Sequence, residues 1–479
     1  MPTLQTDVAI IGAGTAGMTA YRAARNESKN VLLIESHVYG TTCARVGCMP
    51  SKLLIAAAEA AHAAQTASAF GVHAAPLRID GKAVMARVRS ERDRFVGFVV
   101  ADVEAFPAET KLIGRAVFTG PNTLQVGDTQ VRAKSIVIAT GSTPKVADEW
   151  KIAGDRIIAS DAVFDWDDLP ESVAVVGTGV IGLELGQALH RLGVRVALFA
   201  RGSSLAQISD PSLLEVADRA LSEELDIRFQ TSVTSVERDG DGVIIRSRDG
   251  EGHQRSERFT YLLSATGRSP NVQQLGLEHT GLALDRFGIP QYDPHTMQCG
   301  SSAIFIAGDA DNERPLLPEA ADQGRIAGRN AACYPDVQPG LRRTPLTIAF
   351  SEPQIATAGA RYKELCAERE GKFAVGKVSF ENQGRSRVML QNKGMLRVYG
   401  EYGSGRFLGA EMIGPRVEHI GHLLAWAHQA GMTVEQMLDM PFYHPVVEEG
   451  LRTALRDLLS QLKSPPTLAD DCLKAIPAS

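Results

Sequence analysis

The chain contains the same short pattern twice, and this repeat constrains the fold more than any other feature. In the first copy an apolar run at residues 7–11 leads into a Gly-x-Gly-x-x-Gly turn at residues 12–17, and a helical pattern then continues to about Glu27. A second apolar run, at residues 31–34, ends in Glu35. A strand, a glycine-rich turn, a helix and a second strand in this order form a βαβ unit of the kind that binds dinucleotides.

The second copy has an apolar run at residues 172–176, a Gly-x-Gly-x-x-Gly turn at 177–182, a helical pattern to about Leu192 and a strand over 194–200. In such a turn the first glycine permits a tight bend, the second lets the backbone approach a pyrophosphate, and the third lets the helix pack closely on the strand. The helix N-terminus offers free N–H groups and partial positive charge to the phosphates. Two copies indicate two dinucleotides bound together, an arrangement suited to electron transfer.

The composition fits a soluble protein of several domains. A length of 479 residues predicts two to four domains at roughly 100–200 residues each. With 44% hydrophobic and 22% charged residues, collagen-like, disordered and coiled-coil classes are excluded. The net charge of −6 gives no reason to expect a nucleic acid or an anionic membrane as a partner. The sequence has no apolar run of ~18 residues and no leader pattern, so we expect a cytoplasmic protein.

Two of the six cysteines, Cys43 and Cys48, lie close together just before an alanine-rich helical pattern. A disulfide that closes so small a loop restricts the unfolded chain little, so it is a poor structural link and a plausible redox pair. At the start of a helix the partial positive charge favours the thiolate. Two inert core thiols are the alternative. No metal site is predicted, and the remaining cysteines are expected to be structural or incidental thiols: Cys299, Cys333, Cys366 and Cys472.

Near the C-terminus, His444 precedes Pro445, and Glu449 lies a few residues further on. The proline biases His444 towards an extended conformation, and a helix is expected to start just beyond it. Glu449 would then be able to reach back to the imidazole, as a carboxylate does when it orients a general base. Glu448 is the competing carboxylate and is expected to face solvent.

From about residue 8 to residue 456 the chain resembles the FAD-dependent pyridine nucleotide-disulfide oxidoreductases, and among them the dihydrolipoyl dehydrogenases. The resemblance rests on the first glycine-rich turn, the Cys-x4-Cys run ending in Pro50-Ser51-Lys52, the Ala-Thr-Gly strand ends at 139–141 and 265–267, Ala307-Gly308-Asp309, Phe350-Ser351-Glu352-Pro353, and His444-Pro445 with Glu449.

This resemblance implies an α/β fold with two Rossmann-like dinucleotide-binding domains, one for FAD and one for NAD(P), and a C-terminal α+β dimerisation domain. The expected segments are an FAD-binding domain at 1–150, an NAD(P)-binding domain at 151–272, a central domain at 273–343 that completes the FAD site, an interface domain at 344–464, and a poorly ordered tail at 465–479.

The resemblance also assigns the cofactor sites. Glu35 would bind the ribose hydroxyls of FAD, and Asp309 would hold its ribityl chain. The full FAD set is Gly12, Gly14, Gly17, Glu35, Lys52, Thr140, Gly141 and Asp309. The NAD(P) set is Gly177, Gly179, Gly182, Ala200, Arg201 and Gly267.

The implied catalytic residues are Cys43, Cys48, Lys52, Glu184, His444 and Glu449. In the family pattern Cys48 faces the flavin as a thiolate, while Cys43 is the outer thiol that exchanges with the substrate. Lys52 lies near the flavin N5 with Glu184 as its ion-pair partner, although a solvated helix lysine is the alternative.

The implied activity is dihydrolipoyl dehydrogenase: dihydrolipoamide is oxidised through the Cys43–Cys48 disulfide and FAD, and NAD⁺ is reduced. The implied partners are a small dithiol or disulfide, or the lipoyl group of a carrier protein. The protein would be a homodimer, in which His444 acts on the cysteines of the opposite subunit. The alternative is an NADPH-dependent reductase of another small disulfide, such as a glutathione-type compound.

Three departures from the family pattern bear on this choice. The position after Gly177 that corresponds to Glu35 is Ala200, and Arg201 follows it; a missing acid beside an arginine favours NADP, so both coenzymes stay open. Arg45 places a cation beside the redox pair, where it acts on a thiol or a substrate or simply faces solvent. The absence of adjacent cysteines near the C-terminus argues against mercuric reductase and the large thioredoxin reductases.

Overall fold

The computed structural model describes residues 2–73, 75–464 and 472. Apart from Cys472, the tail predicted at 465–479 lies outside the described residues. Within the described part, no helix combines the length and the hydropathy that crossing a membrane requires.

Over the described residues, the α-helices are α1 (Thr15–Glu27), α2 (Thr42–Val46), α3 (Cys48–Thr66), α4 (Gly81–Glu104), α5 (Val180–Arg191), α6 (Pro211–Ser222), α7 (Leu317–Cys333), α8 (Tyr362–Arg369), α9 (Gly384–Val388), α10 (Val417–Gln429), α11 (Val434–Leu438) and α12 (Glu449–Leu462).

The β-strands of the same residues are β1 (Thr3–Ile11), β2 (Val31–Glu35), β3 (Lys111–Ile113), β4 (Ala116–Gly120), β5 (Thr123–Val126), β6 (Thr129–Ile138), β7 (Ser142–Pro144), β8 (Ile157–Ala159), β9 (Ser172–Val176), β10 (Arg195–Phe199), β11 (Ile227–Arg228), β12 (Ser232–Asp239), β13 (Gly242–Arg248), β14 (Gln254–Phe259), β15 (Tyr261–Ser264), β16 (Arg268–Pro270), β17 (Ile304–Ile306), β18 (Leu346–Ala349), β19 (Gln354–Gly359), β20 (Phe373–Ser379), β21 (Met395–Glu401) and β22 (Phe407–Gly414).

The chain divides into two compact units. The first unit consists of Met1–Leu53, Ala86–Lys145 and Gly267–Arg343, and its main sheet has the strand order β3-β2-β1-β6-β5-β4, with β17 also paired to β6. Strand β1 runs parallel to both β2 and β6. This is the parallel sheet that the first βαβ pattern predicts.

Both faces of this sheet are covered, which explains why the apolar run at β1 is uninterrupted. Val8 and Ile10 pack in one cluster with α1 and α7, whereas Ala9 and Ile11 pack in a second cluster on the opposite face. A strand buried on both faces carries apolar residues at successive positions rather than at alternate ones.

The second unit consists of Leu54–Met85, Val146–Thr266 and Thr344–Ser479. Its parallel sheet has the order β11-β10-β9-β15-β8 and carries the second glycine-rich turn after β9. A three-stranded antiparallel sheet, β12-β13-β14, also belongs to this unit. These features confirm the second dinucleotide-binding fold.

The remaining sheet of the second unit is antiparallel, with the order β18-β19-β22-β21-β20. Helix α10 packs on β19 and β22, and α12 packs on β20 and β21. At Gly376 in β20 a Cβ atom would overlap the carbonyl oxygen of Ala454 in α12, so glycine permits this close packing. The sheet and its helices confirm the predicted C-terminal α+β region.

The expectation that Cys366 and Cys472 are thiols is wrong. The structure joins them in a disulfide with their Cα atoms 5.3 Å apart, and both residues are buried in an apolar cluster with Tyr362 and Phe373. The two cysteines are separated by 106 residues. Sequence spacing carries no signal for a pair so distant, because only the folded chain brings the two residues together.

Candidate active site

The first glycine-rich turn adopts a backbone that other residues cannot follow. Gly12 has φ +107°. A Cβ atom at Gly12 would overlap the carbonyl oxygen of Ala139, and one at Gly17 would overlap the carbonyl oxygen of Gly12. At Gly14, by contrast, nothing lies within 4 Å of a Cβ position. The turn therefore brings backbone close to backbone while it leaves open space at the N-terminus of α1, where a phosphate is bound.

Glu35 closes this turn from the end of β2. Its Oε2 accepts a hydrogen bond of 2.8 Å from the N–H of Ala13, and its Oε1 accepts one of 3.1 Å from the N–H of His37. The carboxylate is thus held at the edge of the sheet beside the phosphate turn. This is the position from which an acid binds a ribose hydroxyl.

The other predicted FAD residues follow neighbouring parallel strands, β6 and β17. The Oδ2 of Asp309 accepts a hydrogen bond of 2.7 Å from Ser142, and Gly141 has φ +68°. The Oγ1 of Thr140 is buried and has no hydrogen-bond partner among the described residues. A buried hydroxyl without a partner is unfavourable unless a ligand or water completes it, so these residues fit a dinucleotide with a polyhydroxyl chain.

The redox pair lies on two successive helices. Cys43 is half-buried in α2, while Cys48 is exposed as the first residue of α3, and the structure has the pair as a dithiol. Thr41 starts the first of these helices: it is the N-cap of α2, and its Oγ1 accepts a hydrogen bond of 3.2 Å from the N–H of Ala44.

The protons of the pair are unequally held. A hydrogen bond to Cys48, together with burial, raises the pKa of the Cys43 thiol well above its usual value, and the positive charge of Lys52 opposes this only in part. Cys43 therefore keeps its proton. Cys48, at the N-terminus of the 19-residue helix α3, is placed where the helix dipole favours a thiolate.

Arg45 has a structural contact of its own. Its Nη1 donates a hydrogen bond of 3.2 Å to the carbonyl oxygen of Tyr39, and its Cδ would lie 2.9 Å from a Cβ atom at Gly40. The side chain therefore covers the turn that leads into α2, and Gly40, with φ +114°, leaves room for it.

The two members of the predicted ion pair, Lys52 and Glu184, fall in different units. Lys52 is half-buried one turn after Cys48 in α3. Glu184 is buried in α5, and its Oε1 accepts a hydrogen bond of 2.9 Å from the N–H of Phe350. Their pairing stays a prediction.

His444 and Glu449 form the predicted pair. The Nδ1 of His444 lies 2.9 Å from the Oε2 of Glu449, so Nδ1 carries the proton and donates it to the carboxylate. Glu449 is the first residue of α12, and its Oε1 accepts a hydrogen bond of 3.1 Å from Arg452. The side chain of His444 is 81% exposed. Its Nε2 is thus the basic atom, presented outward by an imidazole of fixed orientation.

The second glycine-rich turn repeats the geometry of the first. Gly177 has φ +114°, and a Cβ atom there would overlap the carbonyl oxygen of Ala265. A Cβ atom at Gly182 would overlap the carbonyl oxygen of Gly177, whereas Gly179 has nothing within 4 Å. The steric requirements match one for one, so this turn is built to hold a second dinucleotide.

The edge beside the second turn lacks an acid. Ala200 is buried, and its N–H donates to the carbonyl oxygen of Arg228. Arg228 is itself occupied by ion pairs with Asp226 and Glu257, whereas Arg201 is exposed. A contact between Arg201 and a coenzyme stays a prediction.

Gly267, the last predicted NAD(P) residue, belongs to the first unit. It has φ +110°, and its carbonyl oxygen accepts a hydrogen bond of 2.9 Å from Lys145. It precedes β16, which pairs with β7 in the same unit.

The sequence did not identify two side chains that complete these sites. Ser142 links the first unit's strand ends, since its Oγ donates to Asp309 and accepts a hydrogen bond of 2.8 Å from Arg268. Arg452 holds Glu449. An arginine three residues after the acid in one helix is a usable signal, whereas nothing in the sequence around Ser142 marks it.

Comparison with known proteins accounts for the whole arrangement. Residues 6–324 match the family model described as pyridine nucleotide-disulphide oxidoreductase, and residues 346–455 match the dimerisation domain of the same family. The chain is 31% identical to a mercuric reductase of Streptomyces lividans over 95% of its own length and 97% of that protein. It is 29% identical to a dihydrolipoyl dehydrogenase of Halobacterium salinarum over 95% of its length and 96% of that protein.

The fold also resembles solved structures. LpdA from Mycobacterium tuberculosis superimposes with a TM-score of 0.81 at 24% identity, covering 94% of this chain and 99% of that one. The family match, the relatives and the two dinucleotide turns agree, and the chain therefore belongs to the pyridine nucleotide-disulphide oxidoreductases, which use FAD and NAD(P).

Proposed function

We propose that the chain is a dihydrolipoyl dehydrogenase, which oxidises dihydrolipoamide, free or as the lipoyl group of a carrier protein, and reduces a nicotinamide coenzyme. The observation that carries this proposal is the geometry of the redox pair: Cys43 is half-buried in α2, and Cys48 is exposed at the N-terminus of α3, where the helix dipole favours a thiolate. A pair with one such thiolate position suits reversible exchange with a dithiol substrate.

The thiol exchange uses His444 and the redox pair. Nε2 of His444 takes the proton of one substrate thiol, and the resulting thiolate attacks Sγ of Cys43 in the Cys43–Cys48 disulfide. The Cys43–Cys48 bond breaks, and Cys48 leaves as the thiolate. His444 releases this first proton to solvent, and its Nε2 then takes the proton of the second substrate thiol. The second thiolate attacks the substrate sulfur of the mixed disulfide, which closes the lipoyl ring and expels Cys43 as a thiolate, and Cys43 takes the second proton from His444. FAD, held by the first glycine-rich turn with Glu35 and Asp309, would supply the acceptor for the electron pair, and the nicotinamide coenzyme would be the final acceptor.

In this proposal the enzyme is a homodimer, and His444 of one subunit serves the cysteine pair of the other. The match of residues 346–455 to the family's dimerisation domain supports it. Large apolar side chains of this region are also exposed in the single chain, including Trp426 at 70% and Tyr443 at 80%. Exposed apolar side chains of this size are typical of a surface that another chain covers.

A second candidate function is the NADPH-dependent reduction of another small disulfide, and Ala200 favours it. In the first unit the carboxylate of Glu35 lies beside the phosphate turn, where it accepts from the N–H of Ala13. The corresponding residue of the second unit, Ala200, has no carboxylate and cannot accept a hydrogen bond from a ribose hydroxyl. The exposed cation of Arg201 suits the 2′-phosphate of NADP instead. The thiol chemistry of Cys43 and Cys48 would then run in the opposite direction.

The mercuric reductases among the relatives raise a third substrate, since a thiolate pair is a soft ligand of the kind that binds soft metal ions. Against this, Cys472 is joined to Cys366, so neither sulfur is available as a thiolate ligand.

The test is a steady-state comparison of the FAD-loaded enzyme with dihydrolipoamide and NAD⁺ or NADP⁺, with NADPH and oxidised glutathione, and with NADPH and Hg²⁺. We expect turnover with dihydrolipoamide, and we expect Cys43→Ser to abolish it. Activity confined to NADPH with glutathione would support the second candidate and overturn the first. Activity confined to Hg²⁺ would overturn both.

A further inference from the structure

Gln323 is a fully buried side chain to which the sequence assigns no role. It lies in α7 with no exposed surface, in the core of the first unit. Its Oε1 accepts a hydrogen bond of 2.6 Å from the N–H of Gly308, the residue that immediately precedes Asp309. Gln323 therefore fixes the backbone at the start of the segment that carries a predicted FAD ligand.

This hydrogen bond determines which way the amide faces. Only the oxygen of Gln323 can accept from the N–H of Gly308, so the amide cannot be turned over without placing two donors against each other. The Nε2 is then a donor at a defined position, and it is buried without a hydrogen-bond partner among the described residues. Folded proteins leave few buried donors unsatisfied, which points to an acceptor supplied by a ligand.

A second unsatisfied polar group lies at the same edge of the sheet. Strands β6 and β17 are parallel, with Ile138 opposite Ile306, so Thr140 and Gly308 each lie two residues beyond the last paired position. The Oγ1 of Thr140 is also buried, and it has no hydrogen-bond partner in the part of the chain that the structure describes. Two such groups at the carboxyl ends of adjacent parallel strands mark the place where α/β proteins bind their ligands.

This edge lies against the first turn of α1. A Cβ atom at Gly308 would come within 2.9 Å of the Cβ of Ala16, and one at Gly324, the neighbour of Gln323, would overlap the carbonyl oxygen of Ala16. Gln323 is thus packed beside the helix whose N-terminus follows the phosphate-binding turn. Its unsatisfied donor belongs to the same region as Gly12, Gly14 and Asp309.

We propose that Gln323 is part of the FAD site: its Oε1 positions Gly308 and hence Asp309, and its Nε2 donates a hydrogen bond to an acceptor oxygen in the ribityl-pyrophosphate segment of FAD. The inference concerns the cofactor and is independent of the disulfide substrate. Its test therefore does not depend on the outcome of the substrate comparison.

The experiment follows the rate at which FAD leaves the purified holoenzyme, measured by the return of flavin fluorescence after dilution at about pH 8. Gln323→Leu is the main variant, because it has a similar size and removes both the donor Nε2 and the acceptor Oε1. Gln323→Glu is the second variant, because it keeps the acceptor for Gly308 and, where ionised, replaces the donor with a second acceptor.

Asn330→Leu is the matched control. Asn330 is buried in the same helix two turns on, and its amide is fully bonded: Nδ2 donates to the carbonyl oxygens of Thr296 and Gln338, and Oδ1 accepts from the N–H of Gln338. Asn330→Leu therefore removes buried amide hydrogen bonds from the same helix, at a position about 10 Å from Gln323 along the helix axis.

We expect both Gln323 variants to release FAD at least tenfold faster than the wild type, and Asn330→Leu to stay within twofold. We also expect the visible flavin spectrum to shift in the Gln323 variants alone. If Gln323→Leu releases FAD at the wild-type rate, the donor has no acceptor in FAD and the proposal is overturned. Equal acceleration in Asn330→Leu would also overturn it, since general loosening of α7 would then explain the effect.

Discussion

The Nδ1 of His444 lies 2.9 Å from the Oε2 of Glu449, five residues further along the chain. Val446 also donates its N–H to the same oxygen at 3.4 Å, and Arg452 holds the other oxygen. Both oxygens of the Glu449 carboxylate are thus held by hydrogen bonds. The carboxylate in turn fixes Nδ1 of the imidazole, and the other ring nitrogen, Nε2, points outward. In the proposed exchange the two residues would have different roles: His444 would move the proton, and Glu449 would orient the imidazole.

Replacing the proposed base, His444, should therefore lower kcat/KM more than replacing Glu449, which orients it. A positioned general base contributes about 10²–10⁴-fold to a rate, so we expect His444→Gln to lower kcat/KM for dihydrolipoamide by that range and Glu449→Gln by about tenfold. Reduction of FAD by the nicotinamide coenzyme, measured by stopped flow, should be unchanged in both. Glu448→Gln is the control, and equal losses in Glu448→Gln and Glu449→Gln would contradict the assignment.

In the reduced enzyme, the thiol of Cys48 should lose its proton at a lower pH than the thiol of Cys43. Since the hydrogen bond to Cys48 and burial raise the pKa of Cys43, Cys43 keeps its proton through the range of about pH 7–9, where ordinary thiols ionise. We expect the ultraviolet thiolate absorbance of the reduced enzyme to be retained in Cys43→Ser. In Cys48→Ser we expect it to appear only at higher pH, because burial still raises the pKa of Cys43. Burial raises the pKa of Cys299 to about 12, and the Cys299 thiol therefore adds no thiolate absorbance in this pH range. A thiolate retained in Cys48→Ser and lost in Cys43→Ser would reverse the assignment.

The features that the sequence predicts well are those whose cause is local. Gly12 and Gly177 must be glycine because of the backbone that each adopts, and α1 ends at Glu27 as the helical pattern predicts. The pairing of His444 with Glu449 also follows from short spacing, because α12 begins at the acid itself.

The features that the sequence does not predict depend on contacts between distant segments. The bond between Gln323 and Gly308 joins a helix to a strand end, and neither residue carries a periodic signal for it. The same holds for Cys366 and Cys472, which 106 residues separate. Such contacts are set by how sheets and helices pack, which local spacing does not encode.

Coenzyme choice should depend on Arg201. A charge-assisted hydrogen bond is worth about 1.5–3 kcal/mol, so we expect Arg201→Ala to lower the NADPH/NADH ratio of kcat/KM by roughly ten- to a hundredfold. Ala200→Glu should lower it further, because the new carboxylate repels a 2′-phosphate and accepts from a ribose hydroxyl. Arg195→Ala is the control, since Arg195 is exposed at the opposite end of β10. An unchanged ratio in Arg201→Ala would exclude a contact with the 2′-phosphate.

A buried ion cluster in the second unit should make the protein sensitive to acid. Arg191 is 5% exposed and pairs with Glu224 and Glu352, both at 2.6 Å. Burial alone would raise the pKa of Glu224, but hydrogen bonds from Arg191 and Gln187 and the charge of Arg191 lower it below 4.5. A lowered folded-state pKa stabilises the fold above the unfolded value, and this contribution is lost as the pH falls through the folded value.

We therefore expect Arg191→Met to lower the free energy of unfolding by about 3 kcal/mol at neutral pH, because it leaves two carboxylates without their partner. The loss should shrink at acid pH, because Glu224 becomes protonated as the pH falls through its lowered folded-state pKa. Urea unfolding from pH 3 to 7 measures both. Arg22→Met is the control, since Arg22 pairs with Asp102 on the surface and should cost less than ~1 kcal/mol. A loss that is independent of pH would show that packing, not charge, is responsible.

The disulfide between Cys366 and Cys472 should stabilise the C-terminal region without taking part in catalysis. It closes a loop across 106 residues, and loops of this length carry the largest entropic stabilisation, at most about 4–5 kcal/mol. We expect Cys472→Ser to lower the Tm by several degrees in the absence of reductant and to match the wild type once dithiothreitol is present. Cys333→Ser, at a thiol outside both cysteine pairs, should leave the Tm unchanged. Non-reducing peptide mapping provides the direct check, and separate Cys366 and Cys472 peptides in the oxidised enzyme would contradict the pairing.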